Sequence, residues 1–91
     1  MYKVNFTNQF KKDLKLAQSQ GKDMNKLKEV VDMLANGKEL PAKYRDHNLV
    51  GVYSSFRECH IMPDWLLIYK IYDDELILLL NRIGSHSSLF K

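Results

Sequence analysis

The stretch from 56 to 83, "FRECHIMPDWLLIYKIYDDELILLLNRI", constrains the fold more than any other part of this chain. It holds three runs rich in Ile, Leu, Trp and Tyr, broken only at Pro63-Asp64 and Asp73-Asp74. Strand-forming runs split by such short turn signals predict consecutive antiparallel strands over 56–62, 65–72 and 75–83. A sheet of this kind must cover at least one apolar face, and the rest of the chain has to supply the cover.

The first 37 residues can do so. "YKVNF" (2–6) alternates and predicts a first strand. Thr7 or Asn8 can cap a helix in which Phe10, Leu14 and Ala17 recur at i, i+4 and i+7. Gly21 ends that helix, and Asp23 caps a second one striped by Met24, Leu27, Val30, Val31 and Leu34. "NG" at 36–37 closes it. Residues 38–48, "KELPAKYRDHN", lack periodicity and contain Pro41, which predicts a loop. "VGVYS" (50–54) is expected to form a hairpin with the strand over 56–62, and the tail "GSHSSLFK" is short and polar. The fold class is α+β: an N-terminal strand and a two-helix hairpin packed on one face of a mainly antiparallel sheet of four to five strands, in a single domain over 1–91.

At 91 residues the chain buries only about 60–65% of its unfolded surface, so core positions are scarce. The single cysteine, Cys59, excludes an intramolecular disulfide. No apolar signal segment opens the sequence, and the longest aliphatic run, "LILLL" at 76–80, is too short to cross a bilayer. These features predict a cytoplasmic protein with no membrane association. Charge is uneven: residues 1–45 hold ten Lys/Arg against five Asp/Glu, and residues 46–91 hold four against six. The basic half suits an anionic partner, nucleic acid or an acidic protein, unless its lysines only solvate the helices.

Against that economy, Glu58, His60 and Asp64 occupy the segment most needed for packing. In a strand over 56–62, Glu58, His60 and Met62 share one face, and Arg57, Cys59 and Ile61 the other. Asp64 follows at the turn, and Arg82 and His86 leave the last strand at the sheet's margin. His60, Asp64, Arg82 and His86 are expected to converge on one edge, with the loop carrying His47 within reach. Such a set suits cleavage of an RNA phosphodiester. A base takes the 2′-hydroxyl proton, an acid protonates the leaving oxygen, and a guanidinium holds the phosphate. Imidazole serves either proton role near neutral pH. A metal site built from Cys59, His60, Asp64 and His86 is the chemical competitor. Adjacent Cys59 and His60 point to opposite faces, however, and no ligand spacing such as C-x-x-C or H-E-x-x-H is present. No cofactor is expected.

"YRDHNLVG", "FRECHIMPDWLLIYKI" and "RIGSHSSLF" resemble, in order and spacing, the signature segments of YafQ-type mRNA interferase toxins in the RelE superfamily; "GKDMNKLKEVVDML" is similar too. The likeness spans nearly the whole chain. It implies a RelE-like fold and the toxin of a type II toxin–antitoxin pair, a ribosome-dependent endoribonuclease that cuts mRNA in the A site. The family's catalytic positions fall on His47, His60, Asp64 and His86. Its RNA-facing positions fall on Phe90 and on Arg82, which would meet phosphate; Arg57 and Lys70 are further candidates for RNA contact. In the reading this suggests, His86 is the acid and Asp64 the base, with His60 and His47 orienting or stabilising the phosphate and His60 as the alternative base. Trp65 is expected in the core, and Glu58 is expected to pair with a lysine or arginine. The resemblance also implies a cognate antitoxin, contacts with ribosomal RNA, and operator DNA bound only through the antitoxin complex. Two other readings keep the scaffold without the chemistry: a ParE-like toxin that poisons a topoisomerase, and a regulator that binds only its antitoxin and DNA.

Overall fold

The computed structural model describes residues 1–90. The chain runs through β1 (Lys3–Phe6), α1 (Asn8–Ser19), α2 (Met24–Ala35), β2 (His47–Asn48), β3 (Arg57–Met62), β4 (Trp65–Tyr72), β5 (Ile77–Gly84) and α3 (His86–Leu89). Helix α1 starts where the sequence marks it: the Thr7 hydroxyl oxygen accepts the Phe10 N–H at 2.9 Å. The same hydroxyl donates to the Asn81 carbonyl at 2.7 Å, so the cap also fixes α1 to β5. Asp23 caps α2 by accepting the Asn25 N–H at 2.9 Å. Between the helices Gly21 has φ +73°, a left-handed conformation in which a side chain would be strained.

The five strands lie in the order β1-β5-β4-β3-β2. The three predicted strands pair antiparallel, and β1 closes the far edge parallel to β5. On one face, Phe10, Ala17, Leu27, Val30 and Leu34 of the helices pack on Cys59, Leu67, Tyr69, Leu78, Leu80 and Ile83 of the sheet, with Trp65 at 2% exposure. This is the helix face, and burial of these side chains is the main source of stability.

The opposite, open face has a much smaller apolar cluster of Leu66, Ile68 and Leu89, flanked by Leu49 and Phe56. Leu89 reaches it from α3, which lies close over Gly84. A Cβ on Gly84 would stand 2.6 Å from the Ser88 hydroxyl and 3.2 Å from Leu89 Cδ2, so glycine here sets the approach of the tail.

Two local expectations are corrected. Residues 50–54 form no strand: Gly51–Tyr53 is a turn of 3-10 helix, and β3 pairs instead with His47–Asn48 from the predicted loop. The alternation of side chains breaks after His60, where a register shift pairs Met62 with Trp65, so Met62 leaves the Glu58–His60 face. The short polar tail forms a helical turn, capped by Ser85, whose hydroxyl oxygen accepts the Ser88 N–H at 3.2 Å. Among the described residues, no helix is long and apolar enough to cross a membrane.

Candidate functional site

The open face carries the titratable groups because cross-strand register puts them there. His47 lies opposite Glu58 on neighbouring strands, and His60 follows Glu58 by two residues on the same face. The His47 and His60 rings have centroids 6.4 Å apart. The next pair in the arc, His60 and His86, is 5.9 Å apart, although 26 positions separate them in sequence. His86 opens α3, and its backbone N–H donates to Asp64 Oδ1 at 3.2 Å. The same oxygen stands 3.8 Å from His86 Nδ1, so Asp64 holds this residue by its backbone and lies near the ring.

The arc continues in aromatic rings. Phe90 lies 5.9 Å from His86 and meets Tyr53 edge-on at 6.2 Å; Tyr53 in turn meets Phe56 at 6.3 Å. Phe90 remains 39% exposed, leaving ring surface open to stack on a base. Lys70 is on this face as well, its ammonium 5.6 Å from the Phe56 ring centroid.

Glu58 is the one buried charged residue among those described, at 3% exposure. Instead of a lysine or arginine, it faces two imidazoles: His47 Nε2 and His60 Nε2 are each 3.5 Å from its Oε1. The far nitrogens meet carbonyls, His47 Nδ1 at 2.6 Å from Arg45 O and His60 Nδ1 at 3.4 Å from Pro63 O. Arg45 adopts φ +50°, a left-handed conformation that is uncommon for a non-glycine residue.

The cations divide. Arg57 lies on the other side of β3, where its guanidinium engages Asp46 at 2.9 Å and Asn48 at 2.7 Å; Asp46 also accepts the buried Tyr69 hydroxyl. Arg82 reaches the open face only because of a second register shift: Leu80 pairs with Tyr69, but Arg82 pairs with Ile68. Its guanidinium is held by Asp13 of α1 at 2.8 and 3.2 Å and is still partly exposed. Burial would push the Asp13 carboxyl up, but hydrogen bonds from Arg82, the Ile83 N–H and Gln9, with the charge of Arg82, hold it below the ordinary value. Beside His60 opens a cleft of about 380 Å³ lined by Lys26, Lys43, Tyr44 and Arg45 together with residues 61–63. Cations from the basic half therefore border His60.

Cys59 faces the core with no exposure, and burial pushes its thiol up to about 12, so it is no nucleophile. Among the described residues, no group of three or more His, Cys, Asp or Glu side chains is placed to hold a metal ion. Sequence reasoning brought His47, His60, Asp64, His86 and Phe90 to this face. It missed Tyr53, for which "VGVYS" carries no signal once read as a strand. It also missed the environment of Glu58, whose signal was its place opposite the histidine-bearing loop.

Comparison with known proteins gives a consistent picture. The family described as "Bacterial toxin of type II toxin-antitoxin system, YafQ" matches residues 2–91. The chain is 46% identical over 88 residues to the mRNA interferase toxin YafQ of Escherichia coli K12, covering 96% of this chain and 94% of that one. In the crystal structure of the E. coli DinJ–YafQ complex, a chain with 43% identity superposes at a TM-score of 0.91, with 100% of each chain covered. A metal-bound toxin from Helicobacter pylori, 46% identical, superposes at 0.94 over 99% of this chain and 100% of that one.

Proposed function

The chain belongs to the YafQ family of bacterial type II toxins and is an mRNA interferase, and from that premise we propose that it cuts mRNA in the ribosomal A site by metal-independent acid–base catalysis. The observation that carries the reading is the arc of three imidazoles on one open face, with neighbouring centroids 6.4 and 5.9 Å apart.

The 2′-oxygen attacks the adjacent phosphorus as a base removes its proton, and the bond to the 5′-oxygen breaks as an acid supplies one. His86, held by Asp64, is the acid. Of the two candidate bases, the geometry favours His60: Asp64 is already engaged by His86, whereas His60 lies between the other two imidazoles. His47 stabilises the crowded phosphorane oxygens, and Arg82 contributes a fixed positive charge at the rim. Phe90 stacks on a base of the transcript, with Tyr53 supporting its ring. Lys70 extends the cationic surface on this face. The cleft lined by Lys26, Lys43 and Arg45 carries RNA backbone toward His60, and the remaining lysines of the basic half meet ribosomal RNA.

Such an activity is restrained by a cognate antitoxin, as E. coli YafQ is found with DinJ. An acidic segment that folds over the basic half fits this role, with salt-sensitive association, and operator DNA is reached only through that complex. The working place is the cytoplasm, where the ribosomes are.

Expression of the chain alone, with mRNA 5′ ends mapped after induction, tests the reading. Codon-phased cuts that disappear in His86→Ala are expected. Growth arrest with intact transcripts would overturn it in favour of a ParE-like poison, and no toxicity at all would favour a binding-only regulator.

A further inference from the structure

We propose that Glu58 is a positioning residue that binds His47 and His60 into one proton-handling pair, an inference that rests on the acid–base reading above. A carboxylate this deeply buried is costly unless paired, so its partners are informative. Both are imidazoles, and both address a single oxygen, Oε1, at 3.5 Å. The remaining charged groups on this face stand further off. Lys70 lies two residues beyond Ile68, the residue opposite Glu58; Arg82 lies on the far side of Ile68 and is held by Asp13; His86 lies beyond His60.

Hydrogen-bond accounting then constrains the protons. A carbonyl oxygen and an ionised carboxylate only accept, so each ring has acceptors on both sides. A neutral imidazole has one N–H and satisfies one of them; the doubly protonated ring satisfies both. One carboxylate charge balances one imidazolium, not two. Glu58 can therefore balance one proton gained by the pair at a time. His47, with its 2.6 Å contact to Arg45 O, is the more firmly held ring. The contacts of His60, at 3.4 and 3.5 Å, are long enough to release the ring toward substrate.

In the reaction, the proton leaving the 2′-oxygen goes to His60 as that oxygen bonds to phosphorus. The His60 imidazolium so formed lies beside Glu58 and faces the phosphorane as negative charge develops on its oxygens. Glu58 touches no substrate. It orients the rings and stabilises the imidazolium that forms, as the buried aspartate of a serine-protease triad does for its histidine.

Glu58→Gln keeps the shape and removes the charge. It is expected to lower kcat/KM for ribosome-bound mRNA by about 10- to 100-fold. Binding of an uncleavable mRNA whose A-site 2′-hydroxyls are methylated is expected to stay unchanged. With the carboxylate gone the imidazoles hold a proton less firmly, so the acid limb of the pH–rate profile moves to lower pH. In ¹⁵N spectra of the free toxin, the ring nitrogens of His47 and His60 titrate at lower pH than in the wild type, while those of His86 move less. Glu58→Asp restores the charge and returns the limb toward its wild-type position. In a His60→Gln background the rate loss from Glu58→Gln shrinks, because the two act together. Wild-type rate and pH profile in Glu58→Gln, or unaltered ring titrations, would overturn the proposal. If Glu58→Gln does not fold, Glu58→Asp carries the test: wild-type titrations and rate despite the withdrawn oxygen overturn it equally. A wild-type chain that cuts no RNA sinks the acid–base reading, while the spectra still report on the pair.

Discussion

Around Tyr69, on the helix face, Asp46 takes the Arg57 guanidinium at 2.9 Å and the phenol hydroxyl as well. On the opposite face of the same sheet, Glu58 meets His47 and His60 only at 3.5 Å. The first network is closed. Burial and the Asp46 hydrogen bond push the Tyr69 hydroxyl up and keep it un-ionised, and Asp46 raises the already high Arg57. The second network is looser around Glu58, whose contacts to both rings are 3.5 Å. Neighbouring residues show the same division: Cys59 is sealed in the core, and His60, one position later, stands on the open face. A thin sheet lets a small chain do both, since period-two alternation sends successive side chains to opposite environments.

The contrast can be broken from either side. His60→Gln is expected to cut mRNA cleavage by about 10²- to 10⁴-fold with an unchanged melting temperature. Trp65→Ala, on the helix face, is expected to cost about 3–5 kcal/mol of folding stability, read from urea denaturation. That is much of the total for a domain this size. A His60→Gln protein that melts early would mean the open face also holds the fold together.

A smaller effect sits at the seam between the faces. Asp13→Asn removes the charge that holds Arg82 and weakens the bond to the Ile83 N–H, with an expected loss of about 1–2 kcal/mol at pH 7. The Asp13 carboxyl is depressed in the folded state, so its contribution is present above the ordinary value of 3.8 and disappears as pH falls through the lowered one. Wild type and Asp13→Asn should therefore converge in stability as pH drops below 3.8. Curves that stay parallel would show that the ion pair does not stabilise the fold. The smallest expected effect is none: treatment with a chelator, with ribosomes supplied in buffered magnesium afterwards, should leave the cleavage rate of the toxin unchanged. Loss of activity restored by zinc or copper would place a metal in the chemistry.

Much of this molecule is legible in one dimension because its signals are local. Thr7 and Asp23 cap helices through atoms two or three residues away, and the turns at 63–64 and 73–74 set off strands that pair with their neighbours. The motif spacing likewise put His47, His60, Asp64 and His86 in one candidate site. Less legible were the features that depend on register. No local pattern shows that a shift between Ile68 and Tyr69 turns Arg82 to the open face, or that "VGVYS" yields its place beside β3 to His47–Asn48.

What the sequence alone determined was the class of fold, the buried set and the residue types available for chemistry, since periodicity and capping act over a few residues. Only the tertiary structure decided which groups meet. Glu58 lies against two imidazoles rather than a lysine, and Arg82 is held by a helix nearly 70 positions earlier in the chain, at Asp13. Contacts of that range are set by how strands pair and helices pack, which no short window of residues specifies.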